Sequence, residues 1–258
     1  MSASTLQVSL AIARRAIIHT YKNPAIIVPS LAFPLVFLLA FAGGLSAVSN
    51  IPGFTFKSGY TAFQFVFVFL QMAAFGGLFT GYRLAEDYES GFARRLLLAA
   101  PNRIGIVTGY VIAGLFRFLV IGAILWALAL ATGMNVDGSL LEVLGLVGLG
   151  ALMAVICSLW TIGLAFRFQT VDIGSFMQTP IFILLFLAPV YVPIALLSGW
   201  LKGAASINPV TLIIDAGRGF ISGEPTKVLY AYAASLAIAG LAWVWATRQL
   251  RRAERGSS

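Results

Sequence analysis

Reactive side chains are scarce in this chain. Its 258 residues include one cysteine and one histidine. No intrachain disulfide, Cys/His metal centre or Ser/His triad can therefore be assembled within it. None of the four lysines follows a glycine, which excludes the Gly-x-x-x-x-Gly-Lys-Ser/Thr phosphate loop. Acidic residues are almost missing from the long apolar runs, so a buried carboxylate pair for hydrolysis or proton relay is not available. The lone Cys157 lies inside one of those runs and reads as a packing residue. No catalytic residue and no metal ligand is expected, and an intramembrane enzyme is disfavoured.

Charge is scarce too. Only 10% of residues are charged and 60% are hydrophobic, against roughly 25% charged in soluble domains. A helix needs about 20 apolar residues to cross a bilayer, and six segments qualify: 24–45, 59–82, 104–132, 143–166, 173–198 and 228–247. Five carry no charge, and the third contains Arg117. The sequence thus predicts an all-α integral membrane protein with six transmembrane helices, forming a single domain over 1–258.

Lys and Arg set the orientation. With a cytoplasmic N-terminus, the inner side holds Arg14, Arg15, Lys22, Arg83, Arg94, Arg95, Arg103, Arg167, Arg248, Arg251, Arg252 and Arg255. The outer side holds only Lys57, Lys202, Arg218 and Lys227. Both termini are expected in the cytoplasm, which suits an even number of spans. The net charge of +8 expresses this bias. Its spread over separate loops offers no stripe for nucleic acid. The first 22 residues predict no cleavable signal peptide.

Residues 5–22 predict an amphipathic helix lying at the membrane interface. Leu6, Leu10, Ala13, Ile17 and Tyr21 form its apolar face, opposite Gln7, Arg14, Arg15, His19 and Lys22. Pro29 and Pro34 are expected to bend the first span, and Pro52-Gly53 to make a turn after it. Spacing of two among Phe63, Phe65, Phe67 and Phe69 points the rings in many directions, towards lipid or neighbouring helices. In the fourth span Gly145, Gly148, Ala151, Ala154 and Ser158 read as a close-packing surface. The stretch 199–227 contains apolar patches too short to cross, and Asn208-Pro209 predicts a capped helix start there. Gly223 predicts its stop. The expectation is a helix over 209–222 dipping into the outer leaflet, with Asp215 and Arg218 close enough to pair.

Against this background the loop 83–103 stands out, with seven of the chain's twenty-six charges (Arg83, Glu86, Asp87, Glu89, Arg94, Arg95, Arg103). Acids precede arginines, as a helix dipole favours. Gly91 divides the loop into two pieces, Phe92, Leu96 and Ala99 share a face, and Pro101 terminates the second piece. The loop reads either as a docking element for a soluble partner or as a solvated loop that sets topology. Arg117 stands about 20 Å into its span at 1.5 Å per residue, too deep for easy snorkelling. It faces a water-filled path or a subunit seam, or pairs with a polar neighbour or a carbonyl.

Two sets of residues resemble those of a known family. Asp87-x-Glu89-x-Gly91-Phe92, then Arg95-Leu-Leu and Ala100-Pro101-x-Arg103, is similar to the cytoplasmic coupling-helix motif of ATP-binding-cassette type-2 exporter permeases. Asn208-Pro209-x-Thr211 followed by Asp215-x-x-Arg218 resembles that family's second signature. The daunorubicin-type drug-exporter branch looks closest. The resemblance implies a coupling helix between spans two and three, with Glu86, Asp87, Glu89, Gly91, Phe92, Arg94, Arg95 and Pro101 meeting a separate cytoplasmic ATPase. That partner would hold the ATP and Mg, and this chain no cofactor of its own. The resemblance further implies a second permease subunit, identical or not, surrounding membrane lipids, and a short re-entrant external gate involving Asn208, Pro209, Asp215 and Arg218. The few tyrosines and tryptophans beside twenty phenylalanines favour a lipophilic drug or lipid-like cargo. Polysaccharide or glycolipid export, and a non-transporting scaffold or channel, are the alternatives.

Overall fold

The computed structural model describes residues 3–22, 24–44 and 54–255. Its helices, in chain order, are α1 (Ala3–Lys22), α2 (Pro24–Gly44), α3 (Gly59–Glu89), α4 (Phe92–Ala99), α5 (Ile104–Ala131), α6 (Leu140–Phe168), α7 (Gly174–Phe186), α8 (Gly199–Ile207), α9 (Pro209–Ser222) and α10 (Val228–Arg255). No strand occurs among the described residues. Among the described residues four helices are long and apolar enough to cross a membrane: α3, α5, α6 and α10. Shorter apolar stretches lie at Leu31–Ala40, within α2, and at Val171–Phe186. The Pro52-Gly53 turn lies outside the described residues.

Helix α3 is the centre of the bundle. Over residues 59–82 it carries no charge and is apolar nearly all round, and such a helix belongs inside. Phe63, Phe65, Phe67 and Phe69 are all buried and meet neighbouring helices, not lipid. Phe69 packs edge-on to Phe118 of α5, and Phe67 edge-on to Phe186 of α7. The longest seam joins α3 to α6. In a bilayer, helices are held by close packing and not by water expulsion, and two glycines provide the approach. A Cβ at Gly77 would lie 2.6 Å from the Ser158 amide nitrogen, and one at Gly81 2.3 Å from the Thr161 Cβ. Thr161 donates across the seam to the Gly77 carbonyl at 2.9 Å. Cys157 is buried in this seam, so it packs. Ala154 and Ser158 of the expected small-residue surface are buried with it.

The fifth apolar run departs from expectation. Instead of a span over 173–198, α7 stops at Phe186 after 13 residues. At 1.5 Å per residue that is about 20 Å, short of a roughly 30 Å hydrocarbon core. Pro189 and Pro193 explain the stop, since proline lacks an N–H and disfavours helix in the residue before it. The freed carbonyls of Pro189 and Val190 accept from Arg218 at 2.8 and 3.1 Å.

Helix α9 occupies Pro209–Ser222. Asn208 caps it through a 3.0 Å bond from the Val210 amide, and Gly223 closes it with a φ of 72°. It packs among α3, α6 and α10 at the end of the bundle away from α4. The expected Asp215–Arg218 pair does not form. Arg218 turns inward to three carbonyls, while Asp215 meets Lys227 at 3.5 Å. Helix α1 runs along the first half of α5, so that Thr5 meets Asn102, Ser9 meets Thr108 and Tyr21 meets Phe116. It packs through Thr5, Ser9, Ala13, Ala16 and Thr20, leaving Leu6, Leu10 and Tyr21 exposed.

Candidate functional site: a charged end of the bundle and a cavity beneath it

The loop 83–103 is mostly helix. Residues 83–89 are the last turns of α3, and the chain then turns at Gly91, whose φ of 72° suits a residue without a Cβ. Helix α4 follows across the end of the bundle. Ala93 and Leu97 are its buried contacts, joining Tyr88 of α3, Ile106 of α5 and Leu250 and Ala253 of α10. Phe92 and Leu96 are half-buried, whereas Ala99, expected on the same face, is exposed. Arg94, Arg95, Leu98 and Pro101 are also exposed. Leu98, at 73% exposure, is an apolar residue between arginines that sequence reasoning passed over.

Asp87 has a different place from its motif neighbours. It is 1% exposed and accepts from four donors. Arg15 of α1 binds it in bidentate fashion at 2.8 and 2.9 Å, Arg83 donates at 2.9 Å, and the Tyr110 hydroxyl of α5 completes the set. Arg15 also stacks over the Phe92 ring, 3.7 Å from its centroid. One carboxylate thus joins α1, α3 and α5 beneath the start of α4. The hydrogen bonds to Asp87 hold the Arg15 guanidinium above its ordinary pKa despite partial desolvation. Asp87 is therefore turned inward, where it ties three helices together at the base of α4. Glu86 is half-exposed and pairs with Arg83 at 3.0 Å. Glu89 accepts from the Thr170 hydroxyl at 2.9 Å and the Val171 amide at 2.8 Å, tying α3 to the α6–α7 link. Arg103 reaches back to the Leu97 carbonyl at 3.0 Å and to Glu254 at 3.5 Å.

A cavity of about 450 Å³ lies beneath this end, between α1, α2, α3, α5 and α7. Phe33, Phe75, Phe79 and Phe182 line it, and Arg117 enters it from α5. A second cavity of about 420 Å³, almost wholly apolar, lies between α3, α6, α7, α9 and α10, with Trp160, Trp245 and Pro209 in its wall. Asn208 and Pro209 thus stand beside this second cavity. Asn208 also donates to the Leu184 carbonyl at 2.6 Å. Asp215 and Arg218 lie two turns further along α9, with Arg218 buried against the Phe63 ring at 3.3 Å. No group of three or more metal-ligating side chains occurs among the described residues.

Long apolar helices around a buried central one, with an exposed cationic helix across one end, define a multi-pass membrane protein. Residues 7–221 match the family model described as "ABC-2 type transporter", and the chain belongs to that family. It is also 26% identical over 222 residues to a protein of Pyropia yezoensis named "Putative transport permease ycf38", covering 84% of this chain and 75% of that one.

Proposed function

We propose that this chain is the membrane-spanning permease subunit of an ATP-driven exporter, moving lipophilic drugs or lipid-like molecules out of the cytoplasm. A separate ATPase subunit binds ATP and Mg and performs the hydrolysis. The observation that carries this reading is α4. It is a short helix fixed on its inner face by Ala93 and Leu97, with Arg94, Arg95 and Leu98 left outward. A membrane protein without a phosphate loop needs such a rigid contact if ATP is to drive it. Under this reading the six apolar runs lie in the inner membrane with both termini cytoplasmic. A second permease subunit completes the pathway, and Asn208, Pro209, Asp215 and Arg218 belong to the external gate helix. The daunorubicin-type branch is the finer family assignment that the two sequence signatures support. Glu86, Asp87, Glu89, Gly91, Phe92, Arg94, Arg95 and Pro101 then serve the ATPase contact, directly or by shaping α4.

Extraction of source membranes in mild detergent, followed by mass spectrometry, tests this. A stoichiometric ATPase subunit is expected to co-purify. Replacing Arg94, Arg95 and Leu98 together with alanine should cut its recovery at least tenfold while the melting temperature holds. No ATPase under several mild conditions would favour a scaffold or channel instead.

A further inference from the structure

Arg117 is 4% exposed, on the cavity wall. Its Nε and Nη1 have no hydrogen-bond partner among the described residues. The Phe79 ring centroid is 6.0 Å away. Among the described residues lining the cavity the one acid is Glu86, and it is already paired with Arg83 at 3.0 Å. A buried cation without a counter-ion is expensive, and inside a membrane protein it marks a ligand path by default. The cavity's volume falls in the range of small-molecule sites. The lining is mixed in chemistry. Phe33, Phe75 and Phe182 supply apolar surface, Arg117, Arg83 and Gln178 supply donors, and the Glu86 carboxylate is neutralised by Arg83.

We propose that this cavity binds an amphiphile with an anionic headgroup, such as a phosphate or carboxylate on an acyl-type tail, and that Arg117 is the residue that selects for the negative charge. The guanidinium presents donors in a planar fork that fits two oxygens of such a group, and the phenylalanines cover the tail. This rests on the permease reading only for its consequence, that the cargo is an anionic amphiphile and not a cationic drug. The binding itself requires no ATPase.

The test is binding to the purified full chain in a neutral detergent, followed by native mass spectrometry and tryptophan fluorescence. Four probes are compared: lysophosphatidylglycerol, lysophosphatidylcholine, an alkyl-trimethylammonium of matched tail length, and inorganic phosphate. The anionic amphiphile should bind at least tenfold tighter than the other two amphiphiles, and phosphate alone should bind far more weakly. Arg117→Gln should abolish the preference while residual tail-driven binding persists. Equal affinity for anionic and cationic probes in the unaltered protein would overturn the proposal, whether or not the variant folds. Preference retained in Arg117→Gln would overturn it too, and phosphate binding as tight as the amphiphile's would make this a free-anion site. Failure here leaves ATPase co-purification untouched, so the two readings fail separately.

Discussion

Asp87 shows how far one residue's role depends on what surrounds it. In the sequence it is one of three acids in a charged segment and looks like part of a docking surface. In the structure it receives four hydrogen bonds from Arg15, Arg83 and Tyr110. Breaking a buried ion pair from one side leaves the other charge stranded, at a cost of about 3–5 kcal/mol. Asp87→Ala is therefore expected to lower the melting temperature in detergent, because Arg15, Arg83 and Tyr110 would lose their shared acceptor and Arg83 would keep only the more exposed Glu86. An unchanged melting temperature would show that water reaches this site freely. Arg15 is 72 residues away from Asp87, so no local pattern announces the pair. Arg218 makes the same point. Three positions from Asp215, it was a natural helical partner, yet the kinked segment after α7 has carbonyls with no helical donor, and these claim the guanidinium.

Among the elements, α9 was the most legible, because its start and stop are local chemistry: Asn208 caps, Pro209 occupies the first turn, and Gly223 takes the left-handed end. Helix α4 was legible in its divider, Gly91, but not in its faces. Its buried residues, Ala93 and Leu97, share a face one position round from Phe92 and Leu96, and the neighbours on α3, α5 and α10 choose between the two. Helix α7 was the least legible, since hydropathy continues past Phe186 while the prolines end the helix. The α3–α6 seam is an element-level device with a direct test. Gly77→Val would drive a side chain into the backbone at Cys157 and Ser158. Overpacking of this kind costs about 1–3 kcal/mol, so the variant should unfold at lower denaturant. Gly76→Ala, at a position with open space nearby, is the control expected to behave like the unaltered chain.

At the scale of the whole molecule, the basic residues gather at one end. Arg94, Arg95, Arg103, Arg167 and the last turns of α10 lie with α4, away from the α5–α6 turn at Asp137. Under the orientation proposed above, the positive-inside rule would put α4 at the cytoplasmic face. Because Cys157 is buried, introduced cysteines report cleanly. Leu98→Cys is expected to react with a membrane-impermeant maleimide only in inside-out vesicles, and Asn135→Cys only in right-side-out ones. Labelling of both from the same face would refute the orientation.

Hydrophobic runs and the positions of lysine and arginine determined, from sequence alone, that this is a helical membrane protein and which loops share a side. Those are properties of composition, summed over segments and insensitive to which neighbour each residue meets. Tertiary structure decided the rest. It buried Asp87 among three helices, ended the fifth apolar helix early, and left two nitrogens of Arg117 without a hydrogen-bond partner among the described residues. Each of these outcomes depends on contacts between residues tens of positions apart, where burial removes water as the alternative partner and a distant side chain must either supply the bond or leave it unmade.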